Sequence, residues 1–151
     1  WKGPRLQGWW GHNKDSRFEM PSVFNAIDTS EGWQISNAPI LGMAPLIAAM
    51  DIYNKAGMSS IREKGENMSS YMEYLIFHFI PSIKIITPDK RGCQLSLLVP
   101  NGKKVFKFIL ENGVVCDWRE PDIIRIAPHP LYNTYVEIFE FVKVLKKAVE
   151  S

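Results

Sequence analysis

Cysteine is scarce in this 151-residue chain: there are two, Cys93 and Cys116, each inside an apolar, strand-like run. They read as small buried hydrophobes in a reducing, cytoplasmic compartment, and they exclude a disulfide framework and a cysteine-rich metal site. An excess of charge of one sign is missing as well. With 18 basic and 16 acidic residues the net charge is +2, and no basic run offers nucleic acid a footprint. No apolar run approaches bilayer-spanning length and no stretch has the pattern of a signal peptide, so a membrane partner is not expected. There is no internal repeat or low-complexity segment. An initiator methionine is absent too, since the chain opens at Trp1, and a fragment of a longer protein is expected. What is present is 46% hydrophobic, 12% aromatic and 23% charged. That is enough for a core in one domain, or in a small domain with a piece of another attached.

Residues 1–35 hold four of the five tryptophans, Trp1, Trp9, Trp10 and Trp33, without sustained periodicity. At its centre is Gly-Trp-Trp-Gly-His (8–12). The glycines let backbone approach a neighbour closely, while an indole offers a flat apolar face and one N–H donor. The same pair fits a hydrophobic plug under a loop, and His12 fits a satisfied or solvated loop histidine. Residues 17–21 read as extended or turn structure, because the residue before Pro21 avoids the α region.

The stretch Gly-Trp-Gln-Ile-Ser-Asn-Ala-Pro-Ile-Leu (32–41) is the hinge of the chain. Ser36 and Asn37 stand where a helix N-cap belongs, with Pro39 in the first turn. Such a start exposes backbone N–H groups suited to phosphate or carboxylate, though it also serves as a plain cap. Residues 39–56 follow with a helical stripe of Ile40, Met43, Ala44, Ile47, Met50 and Tyr53, closed by Gly57. Pro45 predicts a kink or a late start. A second helix is expected over 59–79, with Gly65 allowing close contact with a neighbouring helix.

Beyond Pro81 the periods alternate. Strands are expected at 84–87, 93–99, 114–118 and 123–127, and helices at 103–111 and 134–149. Asn112-Gly113 closes the first of these helices, and Ile138, Phe141, Leu145 and Val149 point inward from the last. The order β-β-α-β-β-α with short connections predicts an α/β chain. Its C-terminal part is a mainly antiparallel sheet with helices on one face. Arg125 is the odd residue, a charge in an apolar strand just before Pro128-His129-Pro130. It must be paired or reach toward an anion, unless it is an ordinary edge-strand arginine on the solvent face.

Taken together, these blocks resemble the C-terminal half of kynureninase, a pyridoxal-phosphate hydrolase of the aminotransferase-like (fold type I) superfamily. The likeness runs from about Gly8 to Phe141. It is carried by Gly-Trp-Trp-Gly-His (8–12), Arg17-Phe18 with Met20, the 32–41 stretch, Arg-Gly-Cys-Gln-Leu (91–95), Gly-Val-Val-Cys-Asp (113–117) and Ile-Arg-Ile-Ala-Pro-His-Pro-Leu-Tyr-Asn (124–133). The resemblance implies that Trp9 and Asn37 hold the phosphate of pyridoxal 5′-phosphate across a homodimer interface. It implies that Arg125 clamps the substrate α-carboxylate, and that His12 and Ser36, with Asn37, line the aryl end of the pocket. Residues 1–55 then become the tail of the cofactor-binding large domain with its connecting helix, and 56–151 the C-terminal small domain. The implied reaction is hydrolysis of L-kynurenine or its 3-hydroxy form to an anthranilate and L-alanine, in tryptophan catabolism or NAD biosynthesis. The family's imine-forming lysine matches no lysine here, so no catalytic residue, no metal site and no activity of the chain alone are expected. Pro45 departs from the family's pattern. The alternatives are a cysteine desulfurase-like or class V aminotransferase relative, and a dimerisation module without chemistry.

Overall fold

The computed structural model describes residues 3–151; Trp1, counted above among the tryptophans, lies outside the described residues. The chain divides into two compact units, one ending at Ile52 and the other spanning Tyr53–Ser151.

The second unit begins with the end of α1 (Ile40–Ala56). It continues through α2 (Met58–Phe79), β1 (Lys84–Ile85), β2 (Leu95–Leu98), α3 (Gly102–Glu111), β3 (Asp117–Arg119), β4 (Ile123–Ile126) and α4 (Tyr135–Glu150). The four strands form one sheet in the order β1-β2-β4-β3, antiparallel throughout. Alternation sorts its faces. Leu95, Leu97, Ile124 and Ile126 are buried, in one cluster with Met68, Met72 and Ile76 of α2, Ile109 of α3, and Val142 and Leu145 of α4. Three helices therefore cover one face of the sheet, as the order of periods predicts.

The helix ends follow local chemistry. Asn112 caps α3 and Gly113 takes φ +82, the left-handed conformation that glycine adopts without penalty. Thr134 opens α4 with a full capping box: its side chain accepts from the Glu137 N–H while the Glu137 carboxylate accepts from the Thr134 N–H at 2.7 Å. Gly57 takes φ +78 between α1 and α2, and its N–H donates to the Tyr53 carbonyl. On α4, Val142 and Ala148 share the inward face with Ile138 and Leu145, while Phe141 and Val149 pack half-buried at its border.

The first unit holds three 3-10 turns, Trp9–Gly11, Arg17–Glu19 and Ser30–Trp33, an antiparallel bridge between His12 and Ala26, and most of α1. Several local expectations fail in and around it. Ser36 and Asn37 do not cap α1, which starts at Ile40 with the Met43 N–H bonded to the Pro39 carbonyl. A residue before proline is steered from the α region, so Ala38 stays outside and the helix begins beyond Pro39. Nor does Pro45 delay the start, since it lies inside the helix. The apolar stripe of α1 faces no core, and no residue of this helix is buried. Residues 17–21 do take the turn structure expected of them: Met20, before Pro21, is left-handed at φ +52 and ends the Arg17–Glu19 turn. In the second unit, Gly65 is buried against a loop and not a helix: a Cβ there would lie 2.5 Å from the Cys93 sulfur.

Candidate functional site

In the second unit the chemistry collects at β4. Ile124 and Ile126 point into the core, so Arg125 projects from the face the helices leave open. There it is in register with Ser96 on β2 and Asp117 on β3. Its Nε donates to Asp117 Oδ2 at 2.7 Å, and its Nη2 donates to the same oxygen. The Arg119 Nη2 lies 3.1 Å from that oxygen as well. The hydrogen bond from Arg125 holds the Asp117 carboxyl below the usual carboxylate range, against a desolvation cost, and the charge of Arg119 adds to it.

Arg125 and Asp117 line a cavity of about 460 Å³, together with the polar side chains of Gln94, Asn133 and Glu137 and an apolar wall that includes Phe141. A charged fork beside an apolar wall suits a small carboxylate with an apolar body. Cys116 also lines it, but burial and the neighbouring Asp117 charge push its thiol up to about 11. At neutral pH it is protonated and a poor nucleophile.

The turn after β4 is fixed. The His129 N–H donates to Asn133 Oδ1 at 2.7 Å, and Lys64 Nζ donates to the Pro130 carbonyl at 2.6 Å. His129 Nδ1 accepts from the Leu131 N–H, so the ring proton sits on Nε2 and is shared with the Tyr53 hydroxyl at 3.1 Å. Both nitrogens are occupied, and the ring stacks on Tyr132 at 4.6 Å. This histidine is a fastener.

The first unit is organised around Arg17, which is buried. Its Nη2 donates to the carbonyls of Trp10 and His12, at 3.2 and 3.0 Å, and its guanidinium lies 5.0 Å from the centre of the Trp10 ring. The buried Arg17 Nε–H has no partner among the described residues. His12 is buried with both ring nitrogens engaged: Nδ1 accepts from the Asn25 N–H, which leaves Nε2 to donate to Ser16 Oγ at 3.1 Å. Trp9 is half-exposed, with its ring edge-on to Phe18 at 5.6 Å.

Trp9 and His12 therefore share one cavity of about 310 Å³, whereas Asn37 lines another of about 490 Å³ with Trp10 and Lys14. Arg17 lines both. Ser36 lines neither; it is exposed, and its carbonyl accepts from Gln34 Nε2. Two residues central to this arrangement, Asp117 and Arg17, escape a reading of residue types alone. For Asp117 a signal existed. A tight turn centred on Pro121 pairs residue 117 with residue 125 across the hairpin, and the strands have that register. Among the described residues no group of three or more His, Cys, Asp or Glu side chains could hold a metal ion, and no helix is long and apolar enough to cross a membrane.

A family profile described as "Kynureninase C-terminal domain" matches residues 61–145. The kynureninase of Christiangramia forsetii is 41% identical over 98% of this chain, and that of Xanthomonas campestris pv. campestris 43% identical over 93%. The kynureninase of Myxococcus xanthus is 43% identical over 95%. This chain spans 37%, 35% and 35% of those three relatives, so about a third of their length. Among solved structures, the cysteine desulfurase CsdA of Escherichia coli superposes with a TM-score of 0.74 at 14% identity, over 97% of this chain and 39% of that one. The cystine C-S lyase C-DES, in complex with its reaction product cysteine persulfide, gives 0.72 at 16% identity over 95% and 38%. At those identities the likeness is one of fold.

Proposed function

The chain belongs to the kynureninase family, and from that premise we propose that it is the C-terminal part of a pyridoxal 5′-phosphate-dependent hydrolase. The proposed reaction adds water to L-kynurenine or 3-hydroxy-L-kynurenine and releases L-alanine with anthranilate or 3-hydroxyanthranilate, in tryptophan catabolism or NAD biosynthesis. The whole protein acts as a cytoplasmic homodimer. Residues 1–55 belong to its cofactor-binding domain and 56–151 form its C-terminal domain.

The observation that carries this reading is Arg125, a guanidinium that lines a part-apolar cavity from an otherwise apolar strand. Arg125 receives the amino-acid carboxylate of the substrate, which fixes the bond to be cleaved relative to the cofactor. The aryl end of the substrate lies by His12 and Ser36. His12 is already bonded at both nitrogens, so it shapes that end as a rigid wall. Ser36 supplies an exposed hydroxyl able to pair the extra phenol of the 3-hydroxy substrate.

Trp9 and Asn37 line separate cavities within this chain, and both are assigned to the cofactor's phosphate as donors supplied across the homodimer interface. The Trp9 indole N–H and the Asn37 side-chain amide have no partner among the described residues. Both are neutral donors, able to hold phosphate without adding charge. When bound, the cofactor supplies an electron sink, and the lysine that joins it lies outside this chain. The chain alone is therefore inactive. The desulfurase-like alternative has only fold-level support.

In the full-length protein, Arg125→Lys keeps the charge but loses the planar fork. It should raise KM and cost about 2–5 kcal/mol of transition-state binding, in the range of a desolvated charge pair that loses its partner. The cofactor's absorbance should be unaltered. A variant that loses its cofactor and keeps its affinity for substrate would move Arg125 to the phosphate site and sink the assignment.

A further inference from the structure

Asp117 and Arg125 are directly opposed on β3 and β4, so both side chains leave the sheet on the same side. The contact between them is one-sided. Both the Nε and the Nη2 of Arg125 converge on a single carboxylate oxygen, Oδ2. A guanidinium has two edges that can grip a carboxylate: the side edge, Nε with Nη2, and the end edge, Nη1 with Nη2. Asp117 occupies the side edge. Arg119 reaches the same oxygen from the neighbouring position, so Asp117 is itself held from two directions. Among the described residues, Arg125 Nη1 donates to no one.

We infer that Asp117 is a positioning residue, which holds the side edge of Arg125 so that the end edge receives the ligand carboxylate. The inference rests on the reading of Arg125 as the carboxylate clamp. A long arginine side chain on a partly open sheet face samples many rotamers. Ordering it before the ligand arrives removes that cost from binding, the general effect of preorganisation. Asp117 also constrains selectivity. With the side edge taken, the carboxylate must approach from beyond the guanidinium tip, where the remaining hydrogens point.

In the full-length protein, Asp117→Ala should raise KM for L-kynurenine about tenfold, the scale of one charge-assisted hydrogen bond, and leave kcat within about twofold. Asp117→Asn keeps an oxygen opposite the guanidinium and should recover most of the loss. In the 151-residue chain labelled with ¹⁵N, the Arg125 Nε–H signal is identified by its disappearance in Arg125→Lys. It should exchange slowly with water in the parent and fast in Asp117→Ala. An unchanged KM in Asp117→Ala overturns the inference, and so does an Nε–H exchange rate indifferent to that substitution. If Asp117→Asn is as impaired as Asp117→Ala, charge and not positioning is responsible, which overturns it as well. Arg125→Lys with a normal KM would instead refute the carboxylate clamp. Arg125→Lys impaired beside a normal Asp117→Ala would refute the role of Asp117 alone.

Discussion

From Met68 to Ala148, 17 apolar side chains of the second unit are buried in one cluster; before Met68, among the described residues, no apolar side chain is buried. The first unit buries polar groups instead, His12 and Arg17, while Leu6, Phe18, Met20, Val23, Ile40 and Leu41 are each at least 74% exposed. The difference is one of forces. The second unit is held by non-directional burial, and its cohesion grows with the area removed from water. The first is held by directional bonds from a few side chains to loop carbonyls. Each of these is worth little net, because water offers the same bond to the unfolded chain.

The contrast is tested most sharply in the core. Leu145 is fully buried among α2, α3 and the sheet, so Leu145→Ala should cost about 2–5 kcal/mol of unfolding free energy. Urea denaturation followed by far-UV circular dichroism measures it. A loss under about 1 kcal/mol would mean that the core closes round the gap, and that the second unit is less tightly packed than its burial implies.

Arg17→Met is the counterpart in the first unit. It removes two bonds, leaving the buried His12 carbonyl and the part-buried Trp10 carbonyl without that donor. The expected cost is about 1–3 kcal/mol, confined to that unit. Limited proteolysis should cut faster before residue 40 and leave the fragment from residue 53 onward intact. Faster cutting within α2 or α4 would show that the two units do not open separately.

A smaller effect is expected at the start of α4. Thr134→Ala removes the capping-box acceptor and should cost about 1 kcal/mol, read from the same urea midpoint. The box also sets a pH dependence. Bonds from the Thr134 N–H and then its hydroxyl hold the Glu137 carboxyl below its ordinary value. A lowered carboxyl contributes stability that is present above its unfolded-state pKa and lost as pH falls through its folded value. The difference between parent and Thr134→Ala should therefore shrink in acid, below about pH 4, and persist at neutral pH. A difference that grows in acid contradicts the box.

The second unit was legible in the sequence, because its elements are cut by strong local signals. Apolar periods of two and of three to four, Asn112-Gly113 after α3 and Thr134 before α4 all act within a few residues. Arg125 stood out by the same logic, as a charge in an apolar strand. Its partner Asp117 did not, since pairing depends on hairpin register and not on residue type. The α1 stripe was legible as a helix but its exposure was not, because periodicity reports which face is apolar and not whether anything covers it. The loop around Arg17 was least legible. Its bonds end on backbone carbonyls, which carry no sequence signal.

The smallest effect is expected on α1, where it sharpens the contrast most. Leu41 is 89% exposed and Ile40 78%. Apolar surface that is wet in the folded state and wet in the unfolded state contributes nothing to the difference between them. Leu41→Ser on this chain should therefore shift the unfolding free energy by no more than about 0.5 kcal/mol, the scatter of ordinary surface substitutions. Helix propensity works weakly against serine, by a few tenths of a kcal/mol at most, and less near a helix start where serine is tolerated. The same change made at Leu145 would bury a hydroxyl without a partner, so the Leu→Ser pair compares the two units with chemistry held constant. If Leu41→Ser costs more than about 1 kcal/mol, α1 is covered in solution and the division into a cored unit and a bonded one fails at its clearest point. If the cost is near zero in this chain but large in the full-length protein, the covering surface lies in the remaining polypeptide.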